Sequence, residues 1–208
     1  MSHPSIHAQS TPDKIAYQMA GSGEAITYRD LDRRSNQGAH LFRSLGLKKG
    51  DHIALLMENN IAFMEICWAA QRSGLYYTAI SRYLTPDEIA YIVKDCGAQV
   101  VITTPKCMPS IEPLLGTASG ATQFFITGAA RGDFKSGQFK SWDDALASQP
   151  VTPIADEAAG YDMLYSSGTT GRPKGIKRPL TEPSILVPNP LLKLLCSTMC
   201  GMNETSVY

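Results

Sequence analysis

The run His52-Ile-Ala-Leu-Leu-Met57 constrains the fold of this chain more than any other stretch. From Ile53 onward every position is apolar, so an extended strand here presents apolar side chains on both faces. Such a strand must be covered on both sides, the condition met by a parallel sheet sandwiched between helices. The flanking sequence supplies the helices. From Tyr28 onward Leu31, Ser35, Gly38, Leu41, Phe42 and Leu45 recur at three- and four-residue steps, a helical stripe that Gly46 ends. After the strand, Glu58-Asn59-Asn60 caps a helix over residues 61–73 that Gly74 closes. A strand over 75–80 follows. Thr85-Pro86-Asp87-Glu88 then gives a capping threonine, a first-turn proline and a glutamate three residues after the cap, which predicts a helix running to about Cys96. Strands over 99–103 and 122–127 enclose a short helix at 109–115. A polar loop spans 128–138 and a helical turn 142–147. This alternation predicts an α/β fold, a mostly parallel sheet flanked by helices.

The ends read differently. Residues 1–10 are polar and are expected to form a flexible amino terminus. Two short strands, 15–19 and 25–27, flank Gly21-Ser-Gly23-Glu24 and read as a hairpin. After a connector at 150–159, a strand over 162–166 is expected to deliver a glycine-rich loop at its carboxyl end, where open parallel sheets bind ligands. Residues 191–200 read as a helix, and Ser206-Val-Tyr208 as the opening of a strand.

That loop carries the chemistry. Tyr165-Ser-Ser-Gly-Thr-Thr-Gly-Arg-Pro-Lys174-Gly175 combines the hydroxyls of Ser166, Ser167, Thr169 and Thr170 with three glycines and a lysine. A polyphosphate calls for this mixture. Gly168 and Gly171 let the backbone approach a ligand closely. Successive N–H groups form an anion-binding concavity, and Lys174 adds a point charge on a flexible stem. The stretch is not a Walker A loop: five residues on from Gly168 is Pro173, and five on from Gly171 is Ile176, so neither register gives Gly-Lys-Ser/Thr. Arg172 and Lys177 read as solvated surface charge, Tyr165 and Trp68 as core aromatics.

Bulk properties exclude several classes. Nineteen basic residues balance nineteen acidic ones, so no net field points to nucleic acid or an anionic membrane. The five cysteines lack metal-like spacing and read as reduced thiols. The four histidines form no ligand cluster, so no metal site is expected. Residues 1–10 do not resemble a signal peptide and no apolar run reaches membrane-spanning length, which sets the expectation of a cytoplasmic protein.

The loop resembles the phosphate-binding signature of the adenylate-forming, or AMP-binding, superfamily of acyl-CoA synthetases and peptide-synthetase adenylation domains. The match runs from Met163 through Ser166-Ser167-Gly168-Thr169-Thr170-Gly171 to Pro173-Lys174. Tyr28-Arg-Asp-Leu31, the turn from Leu45 to Asp51, and the stretch from Tyr83 to Ile92 also look like the amino-terminal domain of acyl-CoA synthetases. The resemblance covers most of residues 11–178. It implies that residues 11–208 are a partial AMP-binding domain, truncated at its carboxyl end. The whole enzyme would be an ATP-dependent acyl-CoA synthetase using ATP, Mg2+ and CoA on a small carboxylic acid through an acyl-adenylate. The resemblance assigns Ser166, Ser167, Gly168, Thr169, Thr170, Gly171 and Lys174 to the β- and γ-phosphates. No catalytic residue and no metal ligand is assigned within this chain, which alone is expected to be inactive and to self-associate. Two alternatives stand beside this reading: an adenylation domain that loads a carrier protein, and a truncated, non-catalytic nucleotide-binding module.

Overall fold

The strand His52–Leu56 is buried at all five positions, as its composition requires. The computed structural model describes residues 3–116, 123–129, 134, 137–166, 172–180, 184–186 and 194–202. In chain order its elements are α1 (Pro4–Ser10), β1 (Ile15–Gln18), β2 (Ala25–Thr27), α2 (Tyr28–Ser44), β3 (His52–Leu56), α3 (Ile61–Arg72) and β4 (Tyr76–Ala79). There follow α4 (Pro86–Asp95), β5 (Ala98–Thr103), α5 (Met108–Ile111), β6 (Gln123–Ile126), β7 (Phe139–Ser141), α6 (Trp142–Ala147), β8 (Tyr161–Asp162), β9 (Leu164–Ser166) and β10 (Lys174–Ile176).

Six strands form one sheet in the order β7-β6-β5-β3-β4-β8, every pair parallel. Successive side chains of a strand point to opposite faces, and both faces are packed. Ile53, Leu55, Val100, Ile102 and Phe125 meet Phe42 of α2, Ile66 of α3 and Trp142 of α6. Ala54, Leu56, Val101, Phe124 and Ile126 meet Ile89 and Ile92 of α4 and Ile111 of α5. Local signals set the helix ends. Thr27 accepts from Asp30 N, Asn60 from Phe63 N, and Thr85 and Glu88 form a complete reciprocal capping box.

Several elements differ from the sequence expectation. Residues 4–10, expected to be flexible, form α1, with Pro4 in its first turn and the His3 ring accepting from Ser5 N. His3 is buried edge-on against Trp68, 5.2 Å between centroids. Trp68 is half-buried and donates to the Tyr17 hydroxyl at 3.0 Å, so it joins the β1–β2 hairpin to α3. β7 was not anticipated; it adds a sheet edge between the polar loop read over 128–138 and the helical turn over 142–147. In the 191–200 stretch, the described part, Leu194–Met199, winds as a π-helix. Residues 206–208 lie outside the described residues.

Arg72, with no exposed side-chain surface, ties the lower end of this framework together. Its guanidinium pairs with Asp32 of α2 at 2.9 Å and with Glu157 of the connector at 2.9 Å. It also donates to the Ser35 hydroxyl at 3.0 Å. Removing one partner of a buried pair strands the others. Arg72→Leu is therefore expected to lower the urea unfolding free energy by about 3 kcal/mol; a loss below about 1 kcal/mol contradicts this account of the tie.

Candidate functional site

The connector returns to the sheet through a tight passage. Ala158 N donates to Arg72 O and Gly160 N to Gln71 O. Gly160 lies so close to β4 that a Cβ there would sit 2.2 Å from the Leu75 carbonyl oxygen; only glycine fits. β8 then pairs with β4 through Tyr76↔Tyr161 and Tyr77↔Asp162. At Met163 the chain leaves the sheet. Its N–H still bonds Tyr77 O at 2.9 Å, but its carbonyl is met by the Thr78 hydroxyl at 3.1 Å instead of a backbone N–H. The single strand expected over 162–166 is thus two strands. β9 belongs to a separate antiparallel ribbon with β10, paired Lys174↔Ser166, Gly175↔Tyr165 and Ile176↔Leu164.

The glycine-rich stretch connects these two strands, at the carboxyl end of β9. Of the residues singled out in the sequence, Ser167, Gly168, Thr169, Thr170 and Gly171 lie outside the described residues. Ser166 and Lys174 are described. They face each other across the ribbon at the neck of the loop, and both are exposed. Lys174 stands on a strand, so its backbone is held while its ammonium is free to reach outward. A Cβ on Gly175 would lie 2.4 Å from Met163 Cε and 2.9 Å from Tyr165 Cζ, so those side-chain ends would have to give way. The Tyr165 ring is half-buried across this glycine, and its hydroxyl donates to Asp95 Oδ2 at 2.5 Å. Burial, then that hydrogen bond, push the Tyr165 phenol well above its ordinary pKa.

The outgoing leg is fastened to the sheet by residues that read as solvent-facing in the sequence. Lys177 Nζ lies 2.8 Å from His52 Nε2 and 4.6 Å from the centroid of the Tyr76 ring. His52 stacks on Tyr76 at 4.7 Å. A charged lysine can only donate, so Nε2 accepts and the ring proton sits on Nδ1. Tyr76 donates its hydroxyl to Arg178 O, and Arg178 pairs with Asp162 at 2.9 Å. Arg172, also read as solvated charge, lies over the Tyr91 ring of α4 at 5.5 Å. No local sequence pattern marks these contacts, because each joins residues far apart in the chain.

A concavity of about 560 Å³ opens beyond the carboxyl ends of β3, β5 and β6, lined among others by Glu58, Thr104, Thr127 and Asp143. It occupies the switch point of the sheet, where the strand order reverses between β3 and β5. Several of its carboxylates are engaged by neighbours. Asp143 and Glu65 both pair with Arg34, and Asp143 also accepts from Thr127 and Gly128 N. Glu58, expected to serve the helix cap, instead accepts from the Thr104 hydroxyl at 2.6 Å, and Asn60 alone caps. Burial raises the Glu58 pKa, but the bonds from Thr104, its own backbone and Cys107 outweigh it and leave the carboxyl below its ordinary value. None of the loop-flanking residues lines this cleft.

Fold and ribbon together define a parallel α/β domain with a glycine-rich connection between β9 and β10. The model of the AMP-binding enzyme family matches residues 5–180, and the chain belongs to that family. It is 30% identical over 178 residues to the long-chain-fatty-acid–CoA ligase FadD13 of Mycobacterium tuberculosis (strain ATCC 25618 / H37Rv), covering 81% of this chain and 32% of that protein. It is 29% identical over 172 residues to the fatty acid–[acyl-carrier-protein] ligase ScoC of Streptomyces coeruleorubidus, covering 83% and 31%. The inhibitor-bound N-terminal domain of FACL13 from Mycobacterium tuberculosis superposes with a TM-score of 0.70 at 26% identity, covering 85% of this chain and 44% of that one. The chain thus spans about a third of the length of these two relatives.

The fastening of the outgoing leg makes a pH prediction. Burial, then the Lys177 ammonium, lower the His52 imidazole to about 4, and burial, then Arg72, lower His3 to about 3. An unfolded chain, with histidines near 6.5, binds more protons than the folded one below that pH. Stability is therefore fully present above about pH 6.5 and falls as the pH drops, with the His52 share lost by about pH 4. His52→Gln retains an acceptor for Lys177 and should flatten the dependence of the thermal midpoint on pH in that window. An unchanged slope contradicts the assignment.

Proposed function

We propose that this chain is the amino-terminal part of the large domain of an ATP-dependent carboxylate–CoA ligase, and that the 165–175 stretch holds the β- and γ-phosphates of ATP. The observation that carries the reading is the pairing of Ser166 with Lys174 at the neck of a loop containing Ser167, Gly168, Thr169, Thr170 and Gly171. In the first half-reaction a carboxylate oxygen attacks the α-phosphorus and pyrophosphate leaves. In the second, a thiol sulfur attacks the acyl carbon and AMP leaves. A carboxylate nucleophile needs no general base, so positioning and charge stabilisation are the protein's main contributions. Thr169, Thr170 and the loop N–H groups donate to phosphate oxygens, and Lys174 offsets the charge that accumulates on the departing pyrophosphate. Magnesium would travel with the polyphosphate; among the described residues no group of three His, Cys, Asp or Glu side chains offers a cage of its own. Fatty acids and other small carboxylic acids are the substrate class we propose. CoA is the acceptor we favour, as named for FadD13; loading of a carrier protein, as named for ScoC, is the second reading. Exposed Leu164, Ile176, Leu194 and Met199 support the expected self-association of the isolated chain.

The test is ATP–pyrophosphate exchange with a panel of carboxylic acids, in a ligase of the relatives' full length carrying this segment. Lys174→Ala should slow exchange about a hundredfold, on the order of 3 kcal/mol, and Thr170→Val less, since one hydrogen bond among several is lost. The isolated 208-residue chain should form no acyl-CoA. Exchange at the parent rate by Lys174→Ala contradicts the role given to the loop.

A further inference from the structure

The ribbon that presents Lys174 is too small to hold itself. It has three paired positions, and a two-stranded ribbon is at best marginally stable in water without something to pack on. Leu164 and Ile176 on its outer side are 52% and 57% exposed, so no core forms there. Its inner side offers Tyr165, whose ring fills the space that Gly175 leaves open. The question is what holds Tyr165.

The answer lies on α4. Tyr165 donates to Asp95 Oδ2 at 2.5 Å, and the hydroxyl of Tyr91 approaches Asp95 Oδ1 at 3.5 Å. The Tyr91 ring in turn lies under the Arg172 guanidinium. Tyr91 and Asp95 are one helical turn apart, on the same strip of helix surface. Tyr165, just before the glycine-rich stretch, and Arg172, just after it, therefore rest on a single turn of one helix. That turn sets the distance between the two ends of the loop, and Lys174 follows two residues after Arg172. α4 is itself well founded: a capping box starts it, and Ile89, Ile92 and Val93 are buried in the core.

We propose that Asp95 and Tyr91 are positioning residues for the phosphate-binding ribbon, holding Tyr165 and Arg172 so that Ser166 and Lys174 are presented at a fixed spacing. The role rests on the phosphate reading of the loop given above. Neither residue touches the nucleotide; both act through the ribbon. Small displacements of a charged group at a reacting centre are costly, so loosening the support weakens binding of the polyphosphate before it weakens the fold.

The experiment is calorimetric titration with MgATP of a ligase of the relatives' full length carrying this segment, using variants that spare the core. Asp95 is exposed and Tyr165→Phe removes one hydroxyl, so neither change threatens folding. Asp95→Ala and Tyr165→Phe should each raise Kd about tenfold, the equivalent of one charge-assisted hydrogen bond. The double variant should be no worse than either single one, since both remove the same interaction. Asp95→Asn, whose carboxamide oxygen still accepts from Tyr165, should recover most of the affinity, which a general loss of stability would not produce. Backbone amide exchange at Tyr165 and Gly175 should quicken in the first two variants alone. Parental affinity in Asp95→Ala and Tyr165→Phe, with Lys174→Ala impaired, overturns the positioning role and leaves the loop reading standing. Parental affinity in Lys174→Ala, or no saturable binding by the parent ligase, overturns both.

Discussion

The buried Arg72 is the interaction on which the placement of the candidate site depends. A guanidinium sealed from water is tolerable only with its charge matched, and here Asp32 and Glu157 match it while Ser35 accepts from one of its donors. These partners come from α2 and the connector, while Arg72 closes α3. Satisfying one cation therefore fixes three segments. The Ala158 and Gly160 amides bond to the same end of α3, and Gly160 admits the chain against Leu75. From there β8 can dock on β4 only in the register observed, and the ribbon bearing Ser166 and Lys174 starts from that register.

The molecule keeps the switch-point cleft of the sheet apart from the ribbon that bears Ser166 and Lys174. The switch-point cleft above β3 and β5 is polar and lined by more carboxylates than arginines, with Arg34 held between Glu65 and Asp143. The glycine-rich loop instead hangs on a ribbon that has left the sheet, fastened at one side to α4 and at the other to β3, β4 and β8. Ser166 and Lys174 stand paired and exposed on that ribbon. The matched relatives are about three times as long as the aligned segment.

Much of the fold was legible because local rules and global packing agree. The capping box at Thr85 and Glu88 and the unbroken apolar run after His52 each named their element, and the structure honours both. The candidate site stands out for a similar reason: hydroxyls, glycines and a lysine are concentrated in eleven consecutive residues, 165–175, and its phosphate role is the proposal those residues carry. Illegible features depended on distant partners. α1 forms where the sequence looks frayed, with His3 packed on Trp68 from α3. Lys177 reads as solvent charge until His52, 125 residues away, accepts from it. The break at Met163 depends on the Thr78 hydroxyl replacing a ladder bond. Asp95 carries no signal in sequence; only the arrival of Tyr165 beside α4 gives it a role.

The central claim is that Lys174 lies beside the terminal phosphates of bound ATP. Affinity labelling tests it most directly, with an adenosine polyphosphate whose terminal phosphate carries a pyridoxal group that forms a borohydride-reducible imine with a nearby lysine. Peptide mapping by mass spectrometry should find the label on Lys174, suppressed by competing MgATP. Label on Lys106 near the switch-point cleft, or label on Lys174 that MgATP does not suppress, would contradict the account.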